Sequence, residues 1–187
     1  MFESTVHFTG MGILFAVAAP CIVVFFLWLL GRSVPPAVRP TGRPAGVGGL
    51  LLVVLLILSA KAVVSLFALG QQAGECVRVV SMSPDFLWPA VKSTLPAAVN
   101  AVAIMLALVL LTLGRSPAAL FTALVAVWVA GPGDDFLKSV ILGVPFNPSQ
   151  GFMGISFFTI IVTVYLLFSS RSAHTYGLPS ARRAARY

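Results

Sequence analysis

Residues 46–69 constrain this chain more than any other stretch, because they are apolar almost throughout and yet include a lysine, Lys61. A helix that crosses a bilayer needs about 20 apolar residues, and a helix of a soluble core seldom runs this far without a polar face. The stretch therefore predicts a membrane-spanning helix. The whole chain, with 59% hydrophobic and 9% charged residues, has the composition of an integral membrane protein.

Four further apolar runs predict an all-α polytopic membrane helix bundle of about five transmembrane helices. They cover residues 11–30, 95–113, 117–131 and 152–169. The fourth span of the chain would be only about 22 Å long at ~1.5 Å per residue, which is short for a hydrocarbon core of about 30 Å.

The segments between the spans predict three further features. Residues 71–89 are expected to form a loop, because charged residues and prolines interrupt the hydropathy there. Pro132 and Gly133 are expected to break the helix after span four. Residues 135–146 then predict a short helix that is either re-entrant or interfacial.

Charge placement predicts the orientation of the bundle. Eight arginines and no carboxylate lie in the link after span one, the turn after span three and the tail: Arg32, Arg39, Arg43, Arg115, Arg171, Arg182, Arg183 and Arg186. All five carboxylates lie on the other side: Glu3, Glu75, Asp85, Asp134 and Asp135. The positive-inside rule then places the N-terminus outside and the C-terminus in the cytoplasm. Because the net charge of +7 is dispersed over these links, we expect no nucleic-acid partner.

Lys61 and Asn100 form a possible intramembrane polar site, since each is the polar exception in its span. A charged side chain at the centre of a span costs about 2.5–3.5 kcal/mol on insertion scales and suggests a function. The alternative is that the Lys61 side chain reaches towards the headgroups or pairs with a carboxylate. In either case we expect its ammonium to lie in the outer half of the membrane with an oxygen partner.

Asp134 and Asp135 form a possible outer-face pair. They could bind a cation or pair with Lys61 or Lys138, or one of them could cap the helix that follows. His7 and His174 stand apart from other ligands, so no metal site is expected. No catalytic motif is present, and we therefore expect neither an enzyme nor a cofactor. Cys21 and Cys76 lie at different depths, so no disulfide is expected.

A resemblance rests on the two ends of residues 46–177. The opening is Val47, Gly48, Gly49 and Leu50, and the exit is Tyr165, Ser170, Arg171, Ser172, Thr175 and Tyr176. The stretch resembles the small bacterial membrane family catalogued as domain of unknown function 2569. The resemblance implies a four-span bundle in the bacterial inner membrane. Residues 1–45 would then add an extra span with a Pro/Arg-rich link, and residues 178–187 a basic cytoplasmic tail.

Two functions are compatible with this sequence. The first is a non-catalytic subunit that scaffolds a larger membrane complex, with Phe25, Phe26 and Trp28 of span one as the docking residues and with lipids and other membrane subunits as partners. The second is a small transporter or channel component that uses Lys61, Asn100 and Asp134/Asp135. A transport path would place these polar residues along one cavity, whereas a scaffold would leave them paired or at the membrane interface.

Overall fold

The computed structural model describes residues 10–38, 45–143, 145–146 and 151–184, and no β-strand occurs among them. The all-helical prediction is confirmed for these residues. The helices are α1 (Gly10–Ser33), α2 (Leu50–Met82), α3 (Leu87–Leu113), α4 (Pro117–Ala130), α5 (Gly133–Leu142), α6 (Phe152–Phe168), α7 (Ser170–Tyr176) and α8 (Pro179–Ala184), with a short 3-10 turn at Pro84–Phe86.

The length and composition of the helices support membrane insertion, but fewer helices than predicted are long enough to cross a membrane alone. Helix α2 and the run Pro84–Leu113 are each long and apolar enough to cross a membrane. Two bent pairs raise the number to four if each pair crosses as one broken span: α4 with α5, bent by 61°, and α6 with α7, bent by 68°. The part of α1 from Val17 to Ser33 is apolar but shorter than a span. The chain is thus a helical membrane protein, and five spans remain a prediction.

The predicted loop at residues 71–89 is wrong, because α2 continues as helix to Met82 and α3 already begins at Leu87. Hydropathy falls after residue 69, but glutamine, glutamate and arginine are good helix formers, and no proline occurs between residue 69 and Pro84. The helix ends at Met82. The next residue, Ser83, has an extended backbone and precedes that proline. Helix α2 is therefore about 50 Å long, well beyond the thickness of a hydrocarbon core.

Helix α4 follows the prediction closely and shows why a helix starts there. The Ser116 hydroxyl accepts a hydrogen bond from the Ala119 amide at 3.1 Å, and Pro117 occupies the first turn, where its missing amide hydrogen costs nothing. The helix ends at Ala130, before Gly131 and the predicted break. Helix α5 follows directly, which confirms a short helix after the break.

The core lies between α2, α3 and α4, where small side chains let the helices approach closely. Ala107 of α3 and Ala123 and Ala130 of α4 are completely buried. Leucines fill the space around them, and Leu55, Leu111, Leu120 and Leu166 are also inaccessible to solvent. The polar residues described below therefore lie beside a tightly packed apolar centre.

Helix α1 packs against α2 and α3 rather than standing apart from the bundle. A Cβ atom on Gly31 would lie 2.6 Å from a Val47 methyl group, so this contact requires glycine. The segment after α6 is also part of the fold. Residues 172–178 are buried, and so is Ala181 of α8. Leu178 and Ala181 belong to the stretch predicted to be a basic tail. Burial of that segment depends on tertiary packing, which residue composition does not reveal.

Candidate functional site

A polar cavity of about 240 Å³ lies between α2, α3 and α5. Its polar lining comes from Lys61, Ser65, Gln72, Asn100, Asp134 and Lys138, with Val64, Ala68 and Ala97 completing the wall. Positions 61, 65, 68 and 72 follow the spacing of three to four residues that puts side chains on one face of a helix. The long helix α2 therefore supplies one side of the cavity over three turns.

One ion pair and one hydrogen bond join the polar groups of this cavity. The Lys138 Nζ donates to Asp134 Oδ2 at 2.7 Å, one turn apart on α5. The Ser65 hydroxyl donates to Asn100 Oδ1 at 3.4 Å and so connects α2 with α3. Within the part of the chain that the structure describes, other polar groups of the cavity have no hydrogen-bond partner.

Lys61, Gln72 and Asp134 each have a polar atom without a hydrogen-bond partner among the described residues. No hydrogen bond from the Lys61 ammonium is present in the described part of the chain, although the Asp134 and Asp135 carboxylates attract it and Lys138 repels it. The Oδ1 atom of Asp134 and the Oε1 atom of Gln72 are buried and accept no hydrogen bond from a described residue. Buried polar groups are nearly always hydrogen-bonded in proteins, so the cavity has capacity for a polar guest.

The structure brings together residues that the sequence suggested separately. Lys61, Asn100 and Asp134 line one cavity, and Asp135 acts on Lys61 through its charge. The prediction that one aspartate caps α5 is wrong, because Pro132 occupies the N-cap position and no side chain caps the helix. Both aspartates lie in its first turn, where a negative charge favours the helix dipole. An oxygen partner for Lys61 remains a prediction.

Two neighbouring cavities share lining residues with the polar cavity. One, of about 220 Å³, also contains Lys61 and extends to Gly131, Gly154 and Thr159. The other, of about 430 Å³, also contains Gln72 and extends to Glu75, Cys76 and Ser93. The three cavities follow α2 from Ile57 to Val79, a distance of about 33 Å along the helix. Sequence reasoning missed Gln72, because residues 71–89 were predicted to be a loop.

The helix break lies next to Lys61. Gly131 lines the same cavity as Lys61, and a Cβ atom there would lie 2.8 Å from the Thr159 hydroxyl and 2.9 Å from the Val127 carbonyl oxygen. Because Gly131 has no side chain, α4 and α6 can approach each other closely at the break between α4 and α5. The 61° turn then directs α5, with Asp134, towards the polar cavity.

A second cluster lies at the opposite end of the bundle and is called here the arginine-end cluster: Arg115, Arg171, Thr175 and Tyr176. The Arg171 guanidinium lies over the glycine pair, and a Cβ atom on Gly48 would lie 2.7 Å from Arg171 Nη1. The Gly46 amide donates to the Thr175 hydroxyl at 2.9 Å. The opening and the exit on which the resemblance rests are therefore in contact, although the hydrogen-bonded residues Gly46 and Thr175 are 129 positions apart in the chain.

Side chains of the arginine-end cluster donate hydrogen bonds to backbone carbonyls at two helix ends. The Tyr176 hydroxyl donates to the Leu111 carbonyl at 2.6 Å, near the end of α3. The Arg115 guanidinium donates to the carbonyls of Gly31 at 3.0 Å and Gly114 at 2.8 Å. Arg115 lies in the turn between α3 and α4, outside both helices. Burial lowers the pKa of Arg115, which as an arginine remains charged.

The contacts of the arginine-end cluster are mainly structural. Comparisons with known proteins add no activity to them. No protein-family model, curated protein or solved structure matches the chain. The resemblance to domain of unknown function 2569 remains a prediction. The site must accordingly be interpreted from its own chemistry.

The other candidate residues described by the structure lie outside the polar cavity. Phe25 and Phe26 are 53% and 59% exposed, whereas Trp28 is partly buried against the core with the Arg32 guanidinium 4.7 Å from its ring centre. His174 is buried, with Nδ1 2.7 Å from the Ser170 carbonyl. His7 lies outside the described residues. Within the described residues no group of three or more His, Cys, Asp or Glu could hold a metal ion, and Cys21 and Cys76 are free thiols.

Proposed function

We propose that this chain is a component of a transporter or channel, and that it moves a small polar solute through the polar cavity. The observation that supports this function is that Lys61, Asn100 and Asp134, from three different helices, line one cavity. An ionisable side chain inside a span is costly and typically marks a solute or ion pathway. A purely structural role would be better served by complete pairing, and the Lys61 ammonium has no hydrogen bond to a described residue.

The broken helix at Gly131 adds support. Substrate sites of many transporters lie where a membrane helix is interrupted, because the freed backbone groups face a cavity there. In this chain the break between α4 and α5 borders the same cavity as Lys61. Further cavities lie along α2 on both sides of Lys61.

The proposal places the chain in the bacterial inner membrane as a multi-pass protein with Arg115 in the cytoplasm and the end of α2 outside. A reporter enzyme fused after residue 43 is expected to be active in the cytoplasm, and one fused after Ser83, in the turn that follows α2, outside it. The arginines of the link and the turn set this expectation. Reversed activity at both positions would reject the orientation.

Flux in liposomes tests the function directly. The full-length protein is reconstituted, and the exchange of isotopically labelled glycine, methylammonium and methanesulfonate is measured against protein-free liposomes. At least one of the three is expected to exchange faster with the protein. Lys61→Met is expected to reduce that exchange about tenfold or more, since truncating one partner of a buried charged contact costs about 2–5 kcal/mol.

Lys92→Met provides the matched control, because Lys92 is an exposed lysine on α3 that lines none of the three cavities. Its exchange rate should equal that of the wild type. If no probe exchanges faster than in empty liposomes, or if Lys61→Met and Lys92→Met behave alike, the transport function must be abandoned.

A non-catalytic subunit of a larger membrane complex is the second candidate function. The exposed aromatic rings of Phe25 and Phe26 on α1 favour it, since another membrane subunit could pack against them. Lipid can cover the same rings at no cost, so this observation supports the scaffold less strongly than the cavity supports transport. Loss of the transport function in the flux experiment would leave the scaffold as the proposal.

A further inference from the structure

We propose that the polar cavity binds a small zwitterion, a molecule that has one carboxylate and one ammonium group, such as a short α-amino acid. This inference rests on the proposed function, because it names the class of solute for the same cavity. It follows from the groups that the cavity leaves unpaired, from the signs of their charges and from the cavity's size.

The donor side of the site is the Lys61 ammonium. An ammonium group has three N–H donors, and no described residue accepts a hydrogen bond from this one. Lys61 is partly buried, and removing an ammonium group from water without a partner is costly. A carboxylate on the guest would accept from it directly, in a charge-assisted hydrogen bond.

The acceptor side consists of Asp134 Oδ1 and Gln72 Oε1. Both oxygens are buried and lack a donor among the described residues, while the other carboxylate oxygen of Asp134 is already used by Lys138. An ammonium group on the guest has enough N–H donors for both oxygens. The cavity thus offers complementary partners for the two ends of one molecule.

A guest with a single charge would pair with only one of the two sides, either the donor or the acceptors. An anion would pair with Lys61 but would meet the unpaired oxygens of Asp134 and Gln72, which repel it. A cation would pair with these oxygens but would meet the ammonium groups of Lys61 and Lys138. A zwitterion satisfies both sides and adds no net charge to a partly buried site, where uncompensated charge is costly.

The cavity volume is large enough for a small zwitterion. At about 240 Å³, the cavity has room for a two- or three-carbon amino acid and a few waters. Asn100 and Ser65, which share the cavity, supply further hydrogen-bonding groups along its wall.

The test is calorimetric titration of the full-length, detergent-solubilised protein with glycine, acetate and methylammonium, which are all small but differ in charge. Glycine is expected to bind with a Kd at least about tenfold below that of either single-charge probe. Lys61→Met is expected to weaken glycine binding about tenfold but not to weaken methylammonium binding, because Lys61 repels a cation. Asp134→Asn is expected to weaken glycine binding but not to weaken acetate binding, because Asp134 repels an anion.

Two exposed residues outside the three cavities provide matched controls. Lys92→Met and Asp85→Asn remove the same charges from the surface, and both should bind glycine as the wild type does. Lys61→Gln is measured beside Lys61→Met, so that the result does not depend on one variant remaining monodisperse.

The remaining outcomes separate this inference from the proposed function. If acetate or methylammonium binds as tightly as glycine, or if no probe binds although one exchanges across liposomes, the zwitterion is wrong and the transport function stands. If no probe binds and none exchanges, both are wrong. Equal weakening of glycine by Lys61→Met and Lys92→Met would also overturn the inference.

Discussion

Replacing Tyr176 with alanine is expected to lower the free energy of unfolding by about 3–5 kcal/mol. Tyr176 is the largest side chain that is fully buried among the described residues, with 0% of its surface exposed. Its removal leaves a cavity next to the core and also removes the hydrogen bond to the Leu111 carbonyl, 2.6 Å away. The change therefore combines lost packing with an unsatisfied carbonyl at the end of α3.

Denaturant titration in mixed micelles, followed by circular dichroism, measures this effect. Tyr176→Phe keeps the ring and should lose about 1–3 kcal/mol, the cost of leaving the buried carbonyl unpaired. Phe168→Ala is the aromatic control, because Phe168 ends α6 with 82% of its surface exposed, and its effect should stay within about 0.5 kcal/mol. Equal stability of Tyr176→Ala and Phe168→Ala would disprove the role of Tyr176.

Replacing Arg115 with methionine is expected to lower the free energy of unfolding by about 3 kcal/mol. The guanidinium donates to the Gly114 carbonyl at 2.8 Å and the Gly31 carbonyl at 3.0 Å, and more weakly to Val34 at 3.4 Å. Hydrogen bonds from charged groups contribute about 1.5–3 kcal/mol each. Because Arg115 is partly exposed, we expect the lower part of that range for each of the two short bonds.

Arg115→Lys separates charge from geometry. A lysine keeps the positive charge but has no planar guanidinium group that can donate to several carbonyls. Arg115→Lys should therefore lower the free energy of unfolding by less than Arg115→Met does. Arg78→Met, at an exposed arginine of α2, should change the free energy of unfolding by no more than about 0.5 kcal/mol. The same micelle titration measures all three variants. A wild-type transition for Arg115→Met would mean that water or lipid replaces the lost donors.

Local sequence signals account for much of the fold. The helix break was predictable from Pro132, because a proline acts on its own backbone whatever surrounds it. The break lies at Gly131 and Pro132, whereas Gly133, which was predicted to take part in it, is the first residue of α5. The start of α4 was equally predictable from Ser116 and Pro117. Hydropathy, however, reports where a segment leaves an apolar environment and not where its helix ends. For that reason it missed the last 13 residues of α2, from Gly70 to Met82.

The candidate site was predicted as separate residues and not as one cavity. Lys61, Asn100 and Asp134 each stood out, because a polar residue among apolar ones is visible along the chain. Gln72 did not stand out, since it lies outside the apolar run. Its place in the cavity depends on α2 continuing as a helix past residue 69.

The sequence by itself determined the helical class, the apolar runs and the backbone break, because these depend on hydropathy and on the chemistry of neighbouring residues. Only the tertiary structure decided that the cavity exists, that Arg171 lies over Gly48 and that Tyr176 is buried. The physical reason is that such contacts depend on how helices rotate and cross when their side chains interlock. Residues that are distant in the chain carry no local signal of that packing.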